Sequence, residues 1–121
     1  MAKPTRPKTI ILDIDGTLVQ HSLPNIAQQP NHKMVLLDGT IEKLIEWDRS
    51  GYNIILLTGR RESLRAETER QLSEVGIFYD QLVMGVGGGD RILINDKKPS
   101  GEKTAFVFNP NRNVGIGDIL I

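Results

Sequence analysis

The chain has 121 residues, no cysteine, and 15 basic against 15 acidic residues, so its formal net charge is zero. Without cysteine it forms no disulfide, offers no thiolate metal ligand and has no cysteine nucleophile. The balanced charge creates no overall field toward nucleic acid or anionic membranes, and we do not expect a nucleic-acid partner. The length suits a single domain, residues 1–121, around one core.

The amino-terminal sequence, MAKPTRPK, is polar and interrupted by proline. It lacks the apolar stretch of a signal peptide, and no run in the chain approaches the ~18 apolar residues of a membrane span. We therefore expect a cytoplasmic protein without a membrane partner, with residues 1–7 as a flexible lead-in.

In the first half of the chain, residues 8–14 form an apolar, isoleucine-rich run that predicts a strand. Residues 19–37 carry two prolines and no period, and we interpret them as a long loop with at most a short hairpin. Asp38 is a plausible helix N-cap, and Gly51 a plausible stop. Between them, apolar residues recur at helical spacing: Ile41, Leu44 and Ile45.

In the second half of the chain, predicted strands again alternate with a predicted helix. Residues 52–57 predict a second strand, and the polar, Glu- and Arg-rich residues 61–75 predict a helix that ends at Gly76. Three further short strands are predicted at residues 81–84, 91–94 and 104–108. Strands that alternate with helices and are almost continuously apolar favour an α/β fold, a three-layer Rossmann-like sandwich with a mostly parallel central sheet.

Polar side chains stand at the ends of three of these predicted strands. Asp13 and Asp15 follow the first, Thr58 follows the second and Asp96 follows the fourth. Ligands bind beyond the carboxyl ends of parallel strands, so these groups are expected to converge. Two neighbouring carboxylates repel unless a cation lies between them, and Mg²⁺ suits such oxygen ligands. The alternative is that Asp15 belongs to a simple turn and Asp13 is a stray edge acid.

Three motifs resemble those of the haloacid dehalogenase-like phosphohydrolases. ILDIDGTLV is similar to the first family motif, DxDGT after an apolar strand. LLTGR resembles the second, an apolar strand that ends in Thr or Ser, and LINDKKP resembles the fourth. The order is that of the family, and the resemblance covers about residues 8–99.

The resemblance implies a role for each matched residue. Asp13 would attack phosphorus and form an aspartyl-phosphate, and Asp15 would protonate the leaving oxygen and later activate water. Thr58 would hydrogen-bond the phosphoryl group. Asp96 would join Asp13 and the main-chain carbonyl of Asp15 around Mg²⁺. Apart from the resemblance, Gly59 and Arg60 in the turn after Thr58 are candidates for substrate binding, with Arg60 bound to a substrate anion; the alternative is that Arg60 is a surface residue at a helix start.

The third family motif, usually a lysine, has no clear match, because no lysine lies between Thr58 and Asp96. Arginines do occur in that interval, but we assign the missing charge to Lys97 or Lys98, since both would flank the metal site. The alternative is that both lysines are solvated loop residues.

Residues 19–37 are too short for the full cap domain that larger family members carry, which implies an open site. An open site suits a macromolecular phosphoester or a homo-oligomer whose neighbour acts as the lid. The tail TAFVFNPNRNVGIG resembles that of small capless family members, which implies a small phosphorylated substrate such as a sugar phosphate. The predicted function is therefore a Mg²⁺-dependent phosphatase. Two alternatives remain open: a slow or inactive phosphate- or nucleotide-binding regulatory domain, and a phosphotransferase.

Overall fold

A computed structural model describes residues 6–121 of the chain. Most of the predicted lead-in, residues 1–5, lies outside the described residues. The three strands are β1 (Thr9–Asp13), β2 (Asn53–Leu57) and β3 (Gln81–Val83). The helices are α1 (Pro24–Ala27), α2 (Thr40–Arg49) and α3 (Arg65–Glu74), and a 3₁₀ turn at Glu62–Leu64 leads into α3.

The three strands form one parallel sheet in the order β1-β2-β3. Ile10 pairs with Ile54, and Leu12 lies in register with Leu56, which in turn pairs with Leu82. These five side chains are buried and share one face of the sheet, because alternate residues of a strand point to the same side. The predicted α/β class and parallel sheet are confirmed.

The two long helices bury their apolar side chains in the same core. Leu44 and Trp47 of α2, together with Leu72 of α3, belong to the cluster that contains the buried strand residues. Both helices therefore cover the same, buried face of the sheet. The opposite face is only partly covered, and Ile11 of β1 is 48% exposed there.

The segment between β1 and α2 is mostly irregular, as predicted, and holds only the short helix α1. Its base closes like a small hairpin: Gln20 donates its N–H to the carbonyl of Val35, and Leu37 donates to that of Leu18. Within residues 6–121 this segment contains no separate cap domain.

The predicted fourth and fifth strands are wrong. Residues 91–94 and 104–108 pair with no strand, and Ile92 and Ile94 are 84% and 91% exposed. A parallel strand needs a crossover of about a dozen residues or more to return to the sheet. Only residues 84–90 separate β3 from the predicted fourth strand, and Gly85 and Gly87 turn the chain there with positive φ.

The longest helices among the described residues have ten residues each. At 1.5 Å per residue such a helix is about 15 Å long, which is half the hydrocarbon thickness of a bilayer. No helix in this part of the chain is long and apolar enough to span a membrane.

Candidate active site

A tight turn follows β1 and presents two acidic residues at the carboxyl edge of the sheet. The carbonyl of Ile14 accepts N–H groups from Thr17, Leu18 and Val19 at 3.2, 2.9 and 3.2 Å. Gly16 has φ +89°, a conformation that side-chain-bearing residues rarely adopt. The turn therefore requires glycine after Asp15 and brings Asp15 back toward the strand end.

The carboxyl group of Asp13 lies at the last position of β1. Its pKa is raised above the usual value, mainly because neighbouring protein atoms desolvate the carboxyl, although the residue is exposed, and further because Asp15 lies close by. The N–H of Ile14, the charge of Arg91 and the hydroxyl of Thr17 act in the opposite direction. A cation beside Asp13 would offset the burial and the like charge and favour the carboxylate.

Asp15 is held by Arg60, the residue that the sequence assigns to substrate. Arg60 Nε donates to Asp15 Oδ2 at 3.1 Å, and Nη2 donates to Oδ1 at 2.9 Å. The remaining terminal nitrogen, Nη1, donates to Gln71 Oε1 at 2.8 Å. This bidentate pair joins the ends of β1 and β2.

Thr58 lies at the end of β2, as predicted, and is 2% exposed. Its hydroxyl oxygen accepts the N–H of Arg60 at 3.1 Å, and its carbonyl accepts the N–H of Val86 at 3.2 Å. A Cβ on Gly59 would lie 3.0 Å from the carbonyl oxygen of Gly87, so the turn packs closely on the chain after β3. The structure thus brings Asp13, Asp15 and Thr58 to one edge.

Asp96 is not brought into that group, because the strand that would end at it is absent. It is exposed, and its main-chain carbonyl accepts the hydroxyl of Thr104. Lys97 is exposed, and Lys98 pairs with Glu102 at 3.5 Å. Arg91 is the basic residue whose charge acts on Asp13.

The donor set for a metal is therefore partial. Among residues 6–121 no three His, Cys, Asp or Glu side chains form a metal-binding cluster. Mg²⁺ usually takes one or two protein carboxylates together with waters and substrate phosphate oxygens. Asp13, with the neighbouring main chain of Asp15, fits that smaller requirement, since both provide hard oxygen donors at the strand end.

Sequence reasoning missed two groups that support the site. Gln71 is fully buried and bonds Arg60, although most other polar residues of its helix are half-buried or exposed. Asn113 donates its N–H to the carbonyl of Gly16 at 2.9 Å, and its Oδ1 accepts the N–H of His21 at 2.8 Å. A glutamine between apolar positions at helical spacing was a usable signal; the Asn113 contact, 97 positions from Gly16, had none.

The chain is similar to several solved structures, while no family model and no curated protein matches it. In two structures of the Pnkp1/Rnl/Hen1 complex, one described as an RNA repair complex, a chain matches with 34% and 31% identity and TM-scores of 0.54 and 0.57. These matches cover 64% and 74% of this chain. The chain spans only 25% and 32% of the length of those chains.

Two further structures are similar at lower identity. A protein from Vibrio cholerae matches with 23% identity and a TM-score of 0.54, over 77% of this chain and 85% of that one. A D,D-heptose 1,7-bisphosphate phosphatase from B. bronchiseptica, complexed with magnesium and phosphate, matches with 22% identity and a TM-score of 0.49. That match covers 69% of this chain and 52% of the phosphatase.

The fold and the edge residues define an α/β protein with a parallel sheet and paired aspartates after its first strand. The fold, the DxDGT strand end and the structural matches are consistent with a haloacid dehalogenase-like protein, the class that the three sequence motifs resemble.

Proposed function

We propose that this chain is a phosphoric monoester hydrolase that works through an aspartyl-phosphate. The observation that carries the proposal is the placement of Asp13 and Asp15 together at the carboxyl end of β1, with Thr58 at the end of β2. A covalent intermediate divides one difficult displacement into two easier ones.

In the first step, an Asp13 carboxylate oxygen bonds to phosphorus as the bond from phosphorus to the ester oxygen breaks. The carboxyl group of Asp15 gives its proton to the departing oxygen, so an alcohol leaves. In the second step, Asp15 takes a proton from water, whose oxygen bonds to phosphorus. The bond from phosphorus to Asp13 then breaks, which releases inorganic phosphate and restores both residues. Thr58 donates its hydroxyl to a phosphoryl oxygen.

We propose Mg²⁺ as the cofactor. Asp13 and the main-chain carbonyl of Asp15 would hold it, and Asp96 stays a predicted third ligand. When bound, the ion would offset the repulsion between the carboxylate and the phosphate. A basic residue would brace the phosphoryl charge: Lys97 and Lys98 remain predictions from sequence, and Arg91 is supported by its charge on Asp13.

The test is phosphate release from 4-nitrophenyl phosphate with Mg²⁺ and with EDTA. We expect Mg²⁺-dependent turnover that Asp13→Asn lowers at least ~10³-fold, because the nucleophile is lost. Asp96→Asn should raise the Mg²⁺ concentration needed for half-activation if Asp96 is a ligand. Metal-independent turnover, or full activity of the Asp13 variant, would contradict the proposal.

The substrate class has two candidates. A sugar phosphate or another small phosphomonoester is the expectation from the resemblance to small capless family members. A phosphorylated nucleic-acid end is favoured by the local charge around the site, although the whole chain is neutral. Basic side chains outnumber acidic ones by eight to four along the cleft beside β1: Arg6, Lys8, Arg60, Arg61, Arg91, Lys98, Lys103 and Arg112 against Asp13, Asp15, Glu67 and Asp90. The likeness to a chain of an RNA repair complex supports the same candidate.

The two candidates differ in their dependence on salt. Release from an oligonucleotide with a terminal phosphate should fall steeply as salt rises. Binding of a basic surface releases condensed cations from the phosphate backbone, and a higher salt concentration opposes that release and weakens binding. Release from a sugar phosphate should change little. If oligonucleotide ends are hydrolysed no better than the mononucleotide, and without salt dependence, the nucleic-acid candidate is wrong.

A further inference from the structure

We propose that Arg60 is a positioning residue for Asp15 and that Gln71 acts on Asp15 through Arg60. This inference rests on the proposed function, since it assigns to Arg60 the task of orienting the proton-transferring carboxyl. It replaces the interpretation of Arg60 as a substrate-binding residue.

The guanidinium of Arg60 has little capacity left for a substrate. Nε and Nη2 each bond one oxygen of Asp15, at 3.1 and 2.9 Å. Nη1 bonds Gln71 Oε1 at 2.8 Å and approaches the hydroxyl of Thr68 at 3.5 Å. The side chains of Arg60 and Asp15 are 10% and 23% exposed, so solvent and substrate reach the pair only from its edge.

The main chain of Arg60 is fixed at both ends. Its N–H donates to the hydroxyl oxygen of Thr58 at 3.1 Å, and its carbonyl accepts the N–H of Gly85 at 2.7 Å. The guanidinium therefore starts from a defined point at the end of β2. A planar fork that makes two parallel hydrogen bonds then sets the plane of the Asp15 carboxylate, which a lysine cannot do.

Gln71 anchors the far end of the guanidinium. Its side chain is fully buried, and its Nε2 donates to the carbonyl of Ala27 at 3.0 Å and to Glu67 Oε1 at 3.1 Å. No buried side-chain polar atom among residues 6–121 lacks a partner, so this network is complete. It connects Asp15, through α3, to helix α1 in the long loop.

Each oxygen of Asp15 keeps a second lone pair beside the one that Arg60 occupies, so the carboxyl can carry a proton on the side away from the fork. The orientation of Asp15 matters most when the leaving group needs that proton. An alcohol departs slowly unless it is protonated, whereas 4-nitrophenolate departs readily without help. A carboxyl displaced by about 1 Å loses on the order of 10²-fold in rate. Loss of the Arg60 fork should therefore slow alkyl phosphates more than activated aryl phosphates.

The experiment measures kcat and KM for a series of phosphomonoesters from 4-nitrophenyl to simple alkyl. We expect Arg60→Gln to lower kcat about 10²-fold for the alkyl ester and less than tenfold for the 4-nitrophenyl ester, with KM within threefold. Arg60→Lys should behave similarly, because it keeps the charge but loses the fork. Arg49→Gln, an exposed position on α2, is the matched control and should match the native protein.

Gln71→Met leaves both bonds from Arg60 to Asp15 in place and removes the anchor of the guanidinium, together with the bonds to Ala27 and Glu67. It tests the network if Arg60 variants do not fold. We expect the same leaving-group pattern at a smaller amplitude. An equal loss for all leaving groups, or a change confined to KM, would overturn the inference and leave the phosphatase proposal standing. A native protein that releases no phosphate from any ester would overturn both.

Discussion

Single residues at the carboxyl edge of the sheet have distinct surroundings although they are close in sequence. Desolvation by neighbouring protein atoms and the like charge of Asp15 raise the pKa of Asp13, although the residue is exposed. Asp15, two positions later, has both carboxylate oxygens bonded to Arg60. Attack by Asp13 therefore needs a cation nearby that favours its ionised form, which is the task proposed for Mg²⁺.

Thr58 provides a test at this scale. Thr58→Val removes the hydroxyl from a nearly buried position, where it would donate to a phosphoryl oxygen and now accepts the N–H of Arg60. We expect kcat/KM for 4-nitrophenyl phosphate to fall by about 10²-fold, the usual cost of one lost transition-state donor. Thr58→Ser keeps the hydroxyl and should remain within about tenfold of the native rate. Equal losses in both variants would argue against a role for the hydroxyl.

Among the elements, the start of α2 depends on a close approach of two chain segments. Gly39, the N-cap, has φ 78°, and a Cβ there would overlap the backbone of Gly117. The carbonyl of the adjacent Asp38 accepts the N–H of Ile116 at 3.0 Å. The carboxyl-terminal segment is thus held against the helix start by backbone contacts that leave no room for a side chain.

Gly51 offers a matched comparison for that contact. Gly51 also has φ 78°, but a Cβ there meets nothing within 4 Å. Gly51→Ala should cost about 1–2 kcal/mol from the left-handed conformation alone. Gly39→Ala should cost more, since the backbone of Gly117 must also move. Equal free energies of unfolding for the two variants in urea titrations would contradict the steric account.

Helix α3 carries a charge pair that makes its stability depend on pH. Hydrogen bonds from Arg70, and then from Gln71, hold the pKa of Glu67 at about 2, below its usual value of 4.5. A lowered folded-state pKa gives stability that is complete above pH 4.5 and is lost as the pH falls toward 2. The pair is solvent-accessible, so the effect should be small.

The corresponding measurement compares Glu67→Gln with the native chain. The native protein should have the higher free energy of unfolding at pH 7, and the difference should shrink steadily between pH 4.5 and 2. Glu42→Gln, an exposed carboxylate on α2 that makes no ion pair among residues 6–121, is a control for general loss of charge. A difference that stays constant or widens in acid would refute the assignment.

At the scale of the whole molecule, residues 91–108 form an arm outside the sheet that carries two apolar runs, at residues 92–94 and 105–108. Ile92, Ile94, Phe106 and Val107 are each at least 75% exposed. β1 has a paired neighbour only at β2 within the described residues, so its other edge is open beside this arm. Exposed apolar groups of this density favour association.

The arm predicts concentration-dependent self-association. We expect the molar mass measured by light scattering to rise with protein concentration, and the double substitution Ile92→Ser with Phe106→Ser to reduce that rise. Lys33→Ser, an exposed polar position in the long loop, is the control and should leave association unchanged. A native chain that stays monomeric over a hundredfold concentration range would contradict the prediction.

Local patterns were sufficient for the first three strands, the two long helices and the polar residues after β1 and β2. Each of these depends on side-chain alternation, helical spacing or a glycine within a few residues, and so it can be predicted without the partner surface. The predicted start of α2 differs from the structure by one residue, because Gly39 rather than Asp38 is the N-cap.

Where a segment pairs, and which side chains it meets, was decided only by the tertiary structure. Residues 91–94 have the composition of a strand, but a strand also needs an edge within reach of its connection, and seven residues do not provide one. Arg60 has the sequence position of a substrate ligand, but Asp15, 45 residues away, takes its guanidinium. Local conformational preferences depend on neighbouring residues and can be predicted from the sequence. Hydrogen-bond partners depend on which distant segments the fold brings into contact.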